Sequence, residues 1–394
     1  MRILHVIANL APETGGPATA CPAMAAAMAA RGHEVAVFTT AWSPAGRRDL
    51  PDDGRRQEDG VAYRYFDYRG PARFTVSAGL ARALMREAGS FDVVHLHSLY
   101  LFHDWAAGRA CRAAGTPYIL RPHGTFLPFG RERGALRKRI AGRLFQDRVT
   151  AGASLIHLTS QAEAEEAEPF VFGRPRRVVP LGFELARLQR PTTARLERAF
   201  PALAGGQVVL FLGRLAPQKG LDLLMLAFAT AAQGRPDWHL LLAGPDGGLQ
   251  SWLEGEVARL GLEGRVHFAG MIEGGAKAAA LRQSALFALP SYGENFGIAT
   301  LEALAVGTPV LVSDRVALCR EIEADGSGVV CPPTVASVTE ALVRLMADEE
   351  LRARLGRAGA ETTAPRFDWA QVAPRLEALY QEAVELGPPE GSPA

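Results

Sequence analysis

Short apolar runs alternate with helical patterns along the chain, and the alternation occurs twice. In the first half RILHVIA, EVAVFTT, AYRYF, DVVHLH, PYILRP and SLIHLTS are rich in branched or aromatic residues and bounded by Gly, Pro or polar residues. That pattern predicts strands. ATACPAMAAAMAARG and FHDWAAGRACRAAG, each closed by a Gly, predict helices. In the second half QVVLFLG, WHLLLAG, RVHFAG, ALFALP, PVLVSD and GVV read as strands, and LDLLMLAFATAA, ATLEALAVG and TEALVRLMADEELRARL as helices. Strand alternating with helix predicts parallel sheets covered on both faces. The expected fold class is therefore α/β, with two doubly wound Rossmann-like domains in series, facing across a cleft. A strand-free interval from about Leu181 to Gln207 places the hinge. The expected division is 1–185, 186–369, a closing helix over 370–386 returning to the first domain, and a disordered tail over 387–394. Asp368 with Gln371 three residues later is an N-cap signature for that helix, and Pro374 predicts a kink or break inside it.

Composition narrows the function classes. A chain of 394 residues is too long for one ordinary core and suits two domains. Hydrophobic residues at 48% and charged residues at 22% fit a globular, soluble chain. A formal net charge of +1 gives no reason to expect a nucleic-acid binder. Cys21, Cys111, Cys319 and Cys331 form no Cys-x-x-Cys pair, so neither a zinc site nor a disulfide framework is expected. Reduced thiols in a cytoplasmic protein is the reading adopted. The N-terminus lacks a signal-peptide layout, and no apolar run reaches the roughly 18 residues that a membrane span requires.

Candidate chemistry lies in the loops that follow strands, because ligands of doubly wound sheets bind at the carboxyl ends. The first such loop, APETGGP, has Gly15-Gly16 where a dinucleotide site would have G-x-G-x-x-G. It is either a tight turn or a place where a ligand approaches the backbone. In GRLAPQKG, Arg214 and Lys219 stand together at the positive end of a helix, where an anion between them relieves the repulsion. PSYGENFGIATLEALAVGTPV carries Glu294 and Glu302 around a helix start whose Phe296, Gly297 and Ile298 N–H groups could meet a phosphate. The glutamates are either a cap and an ordinary helical residue, or two acceptors for hydroxyls flanking a diphosphate. On one helix they would stand about 12 Å apart along the axis. His95 and His97 share a strand face, and packing is preferred to a metal pair. Over Arg131–Arg148, Leu136, Ile140 and Leu144 share one helical face with Lys138, Arg139 and Arg143 largely opposite. A surface helix with its apolar face in the core is preferred to contact with an anionic membrane.

GGP in the first loop, GRLAPQKG and SYGENFGIATLEALAVGTPVLVSD together resemble retaining glycosyltransferases of the GT-B fold, in the large family 4 (glycosyl transferases group 1). RGHEVAVFTT, DVVHLHS, RPHGT, LLLAGP, RVHFAG and the closing FDWAQ fall in the family's order, so the resemblance runs from Met1 to about Val384. It implies that Arg214 and Lys219 bind the donor diphosphate, that Glu302 holds the ribose, and that Glu294 faces the transferred sugar. It also implies that His123 reaches the donor sugar and that the Gly16 backbone approaches phosphate or acceptor. Gly244 and Met271 fall at the nucleoside, and Asn295, Phe296, Gly297 and Ile298 complete the donor site. Where many members have Asn-Gly-Val-Asp after the hinge strand, this chain has Leu181-Gly182-Phe183-Glu184.

The expectation is a retaining transferase that moves a hexose from a nucleotide sugar to a hydroxyl of a glycan or lipid-linked glycan. No metal or cofactor is expected. A sugar-nucleotide epimerase on a similar frame and a non-catalytic donor-binding subunit are the alternatives. The expected location is cytoplasmic, with peripheral contact at the inner face of the membrane through Arg131–Arg148.

Overall fold

The structure, a computed structural model, describes residues 1–389 except 52, 71–73, 133 and 191. The tail expected to be disordered lies largely outside these residues. By compactness the chain forms two units, one of residues 1–182 together with the segment from Trp369 onward, the other of residues 183–368.

The first unit is built on an eight-stranded sheet. Its spatial order is Arg176–Val178, Leu155–Leu158, Tyr118–Arg121, Val93–His97, Arg2–Val6, Glu34–Thr40, Val61–Phe66 and Arg55–Glu58. Neighbours are parallel except the last pair. All six strands expected from the apolar runs are present. Arg55–Glu58 escaped because its residues, RRQE, are all exposed and show no alternation. Its one signal was the Asp59-Gly60 turn, with φ of 50° and 76°, which is the hairpin geometry that Asp-Gly favours.

The closing helix, Trp369–Leu386, is continuous through Pro374, so the expected break does not occur. It buries Val372, Ala373, Leu376, Leu379, Tyr380 and Ala383 and packs on helix Gly16–Ala29 and on strands Val93–His97 and Tyr118–Arg121. Burial of that many apolar side chains, at roughly 1.5–3 kcal/mol for a large one, outweighs one missing helical hydrogen bond.

The second unit has six parallel strands in the order Val266–Gly270, Trp238–Ala243, Gln207–Leu212, Leu286–Leu289, Val310–Ser313 and Gly328–Cys331. All six were expected. TEALVRLMADEELRARL folds as two helices, Val335–Ala347 and Glu349–Ala358. Asp348 divides them, because its carboxylate accepts the Leu351 N–H at 2.8 Å and caps the second helix.

Candidate functional site

Winding in the second sheet reverses between Gln207–Leu212 and Leu286–Leu289. Such a reversal leaves a crevice at the carboxyl ends of the two strands. The loops leaving them carry GRLAPQKG and PSYGENFG, and they meet. Tyr292 N–H donates to the Gln218 carbonyl at 2.9 Å. A Cβ added to Gly220 would stand 2.0 Å from the Pro290 carbonyl oxygen, so the backbones touch where only glycine fits. The Lys219 ammonium donates to Glu294 Oε2.

That ion pair corrects one expectation. Lys219 is not a free cation repelled by Arg214; it is neutralised by the glutamate assigned to the sugar. A second correction concerns spacing. Glu294 lies in the loop, tied to the loop that follows strand Val310–Ser313 by its N–H donating to the Arg315 carbonyl at 3.0 Å and by its carbonyl accepting from Ala317 N–H at 3.1 Å. The helix begins only at Ile298, so the separation of 12 Å along one axis does not apply. Glu302, on the helix, accepts instead from Lys277 Nζ at 2.7 Å. Lys277 gave no signal in the sequence, because its partner lies 25 residues away on another helix.

What remains unsatisfied is informative. Among the described residues, the Arg214 Nε and the Ser291 and Thr300 hydroxyls are buried without a hydrogen-bond partner. All three sit on these two loops and the helix start beside them. Buried polar atoms are nearly always paired, and three of the nine unpartnered side-chain atoms among the described residues fall on this one loop pair and helix start, which marks it as a place for a ligand. The helix Ile298–Ala305 has Gly297 as N-cap at φ 83°, and no side chain caps it, which keeps its first N–H groups available to an anion.

Other expected donor residues fall into different positions. Asn295 is half-buried in the loop. Phe296 is buried, its ring edge-on to Phe367 at 5.8 Å, so its side chain serves packing. A Cβ on Gly244 would lie 1.9 Å from the Gly213 carbonyl oxygen, so contact between the two loop backbones already accounts for that glycine. Met271 is exposed beyond the edge strand Val266–Gly270, two strands from the switch point.

In the first unit the sheet reverses between Arg2–Val6 and Val93–His97. Gly16 is the first residue of helix Gly16–Ala29, and a Cβ there would meet nothing within 4 Å. No protein contact demands glycine, so the open space is free for a ligand. His123 follows strand Tyr118–Arg121 with φ 49°, a left-handed conformation that strains a side chain with a Cβ. Glu163 holds this turn by accepting the Gly124 N–H at 2.7 Å, along with the Thr159 N–H at 2.8 Å.

Behind His123 lies a cluster that strand-by-strand reading missed. His5, His95, His97 and His157 are fully buried with Arg121. Register explains the cluster: His5 pairs with His95, and His97 with Arg121, on adjacent parallel strands. His95 and His97 thus share a packed face, as expected. Burial first, and the Arg121 charge second, push the His5 pKa down to about 3. Burial and neighbouring cations hold His95, His97, His123 and His157 well below the ordinary histidine value. His123 is therefore a neutral imidazole and brings hydrogen bonding, not charge, to whatever it meets.

The basic segment departs from expectation. Leu136, Ile140 and Leu144 are 69%, 52% and 70% exposed, so their face is not in the core. The chain runs through helix Ala135–Ala141 into a π-turn, Gly142–Gln146, and it is Gly142 and Gln146 that are buried. Lys138 turns inward, donating to the Gly130 carbonyl and lying 5.9 Å from the Tyr100 ring centre. Arg137, Arg139 and Arg143 stay exposed.

Comparison with known proteins decides the family. The family described as Glycosyl transferases group 1 matches residues 195–362, and the Glycosyl transferase 4-like domain matches residues 15–182. A D-inositol 3-phosphate glycosyltransferase of Acidothermus cellulolyticus is 30% identical over 94% of this chain and 86% of its own. The chain belongs to the glycosyl transferases group 1 family. It is a glycosyltransferase with the GT-B fold. A phosphatidyl-myo-inositol mannosyltransferase of Mycobacterium leprae is 36% identical, over 48% of this chain and 50% of its own. The crystal structure of Anabaena HepE in complex with UDP-glucose has a TM-score of 0.77 at 20% identity, covering 97% of this chain and 99% of the other. Among the described residues no helix is long and apolar enough to cross a membrane.

Proposed function

We propose that this glycosyltransferase moves a hexose, with retention and without a metal ion, from a nucleoside-diphosphate sugar to a hydroxyl of a glycan or lipid-linked glycan. The observation that carries this reading is the loop pair at the switch point of the second unit, where Arg214, Lys219 and the uncapped helix start converge with orphaned buried polar atoms. A lysine ammonium has three donors. Glu294 uses one, which leaves two for diphosphate oxygens, while Arg214 Nε is unspent. Glu302, steadied by Lys277, accepts from ribose hydroxyls, and the second Glu294 oxygen accepts from the sugar.

As the bond from sugar carbon to phosphate oxygen breaks, negative charge grows on the leaving diphosphate. Arg214, Lys219 and the helix N-terminus stabilise that charge, supplying the neutralisation that a divalent cation supplies in other transferases. The acceptor oxygen bonds to the same face of the sugar carbon, and a departing phosphate oxygen takes its proton. His123 is assigned to the donor sugar by the family resemblance, and Gly16 to the phosphate or acceptor. The UDP-glucose complex of Anabaena HepE and the mannosyltransferase name of the Mycobacterium leprae relative support nucleotide hexoses as the donors to try. The exposed row Leu136, Ile140 and Leu144 beside Arg137, Arg139 and Arg143 supports an acceptor presented at an anionic membrane surface.

The test is a thermal-shift panel of UDP, GDP and ADP sugars on the intact protein and on Lys219→Ala. A ligand at about 100 times its Kd adds about 2.7 kcal/mol to the native state. One nucleotide should raise the melting temperature, with the shift lost in the variant. A shift of equal size in Lys219→Ala overturns the diphosphate assignment. The anomeric configuration of the product decides retention, and turnover in excess chelator decides the metal question.

A further inference from the structure

Five histidines and one tyrosine of the first unit stand in single file. His157 Nε2 is 2.8 Å from the Val179 carbonyl oxygen, and His157 Nδ1 is 3.3 Å from His95 Nε2. His95 Nδ1 is 2.9 Å from the Tyr380 hydroxyl, which is 3.4 Å from His5 Nε2. His5 Nδ1 is 2.9 Å from His97 Nε2, and His97 Nδ1 is 3.0 Å from His123 Nε2. Every ring uses both nitrogens except the last.

Hydrogen-bond inventory gives the file one direction. A carbonyl only accepts, and a neutral imidazole has one donor nitrogen and one acceptor nitrogen. His157 must therefore carry its proton on Nε2 and accept at Nδ1. His95 donates to it from Nε2, and accepts at Nδ1 from the single proton of Tyr380. With that proton spent, the Tyr380 oxygen accepts from His5 Nε2. His5 Nδ1 then accepts from His97 Nε2, and His97 Nδ1 accepts from His123 Nε2. The reverse direction would point a nitrogen lone pair at the Val179 carbonyl and leave a buried acceptor unpaired, at about 1–3 kcal/mol. His103 Nε2, 2.6 Å from the His97 carbonyl oxygen, steadies the middle of the file.

We propose that this file is a tautomer relay, which holds His123 as its Nε2–H form and presents His123 Nδ1 as a hydrogen-bond acceptor for a hydroxyl of the transferred sugar. The last clause rests on the reading of His123 given above; the relay does not. His5, His95, His97, His157 and Tyr380 are positioning residues that act through His123. Burial beside Arg121 keeps the rings neutral, and neutrality is what lets one terminal carbonyl dictate five tautomers. The relay also competes with another use of these rings. His5, Cys21 and His97 can each offer one ligand atom within 4.8 Å of the others, but a metal held through His5 Nδ1 and His97 Nε2 would need lone pairs on both, and the relay puts a proton between them.

The experiment is nitrogen-15 correlation spectroscopy on the full chain with labelled histidine, the His123 signal identified by its loss in His123→Asn. At neutral pH His123, His97, His5, His95 and His157 should each show a protonated Nε2 and a bare Nδ1. Tyr380→Phe keeps the ring and removes the switchpoint hydroxyl. His5, His97 and His123 should then lose their single tautomer, while His95 and His157 keep theirs. A wild-type His123 protonated at Nδ1 overturns the relay without recourse to any variant. So does a Tyr380→Phe spectrum with His5, His97 and His123 unchanged, or a stoichiometric metal in the purified protein. Addition of UDP-glucose or GDP-mannose, whichever binds, should move the His123 Nδ1 resonance alone among the five. If a bound nucleotide sugar leaves it unmoved, the sugar contact fails while the relay stands.

Discussion

Arg214 separates binding from stability. Its Nε has no partner among the described residues, so Arg214→Ala forfeits no intramolecular hydrogen bond there. Loss of one preorganised charge-stabilising donor typically costs about 10²–10³ in rate. The expected result is a fall in kcat of that size with a melting temperature near the wild-type value. Steady-state kinetics beside a thermal melt checks it, and a variant that melts much lower would make Arg214 a structural residue. Glu294 shows how far one residue can be read from sequence. Its identity as a carboxylate beside a cationic loop was legible; its partner was not, because Lys219 lies 75 positions away in the chain.

Two elements carry predictions of opposite kinds. Gly220 caps helix Leu221–Ala231 at φ 66°, and an added Cβ would press on the Pro290 carbonyl 2.0 Å away. Gly220→Ala therefore meets left-handed strain of about 1–2 kcal/mol together with a clash that no rotamer relieves. A lower melting temperature and weaker nucleotide-sugar binding should appear together, because the same contact aligns both loops. The segment from Ala135 to Gln146 is the reverse case. Leu136, Ile140 and Leu144 are mostly exposed, so replacing all three by Ser should change the melting temperature little. Each of these side chains is worth roughly 1.5–3 kcal/mol when buried. The triple variant should lose sedimentation with anionic vesicles while keeping turnover of a short water-soluble acceptor. Unchanged sedimentation removes the membrane surface from the proposal. Amphipathic spacing located this segment correctly and misjudged which way its apolar face points, because spacing groups residues on one face without saying what packs against it.

For the whole molecule the buried histidines set the response to acid. His5, His95, His97, His103, His123 and His157 all have folded pKa values depressed below 6.5, His103 to about 4. Below 6.5 the unfolded chain binds protons that the native chain refuses, so native stability is full above that pH and falls as the pH drops towards the folded values. Each such group removes about 1.4 kcal/mol per pH unit while the difference persists. Asp104, pushed up to about 7 by burial, and Glu163, also raised by burial, act in the opposite sense. Six groups outweigh two. Arg121 and the thiol of Cys21 keep their charge states across this range and do not change the sign. Since folding stability is commonly about 5–15 kcal/mol, the chain should unfold cooperatively between about pH 6 and pH 4. Circular dichroism against pH checks this, and a native spectrum at pH 4 would contradict the neutral cluster.

The amino-acid sequence by itself determined what depends on neighbours along the chain. Apolar runs of three to seven residues marked twelve of the fourteen strands in the two large sheets, because a strand buried on both faces can be written in few other ways; Arg55–Glu58 and Arg176–Val178 carry no such run. Gly-rich turns and a lysine before a helix marked the loops that could meet a phosphate. Only the tertiary structure decided which charges neutralise which. It paired Lys219 with Glu294 and Lys277 with Glu302, left Arg214 unspent, and exposed Leu136, Ile140 and Leu144. It also gathered four strand histidines, His5, His95, His97 and His157, behind a fifth, His123. These are contacts between residues tens to hundreds of positions apart, set by strand order and register, and no local pattern of residues encodes an order of strands.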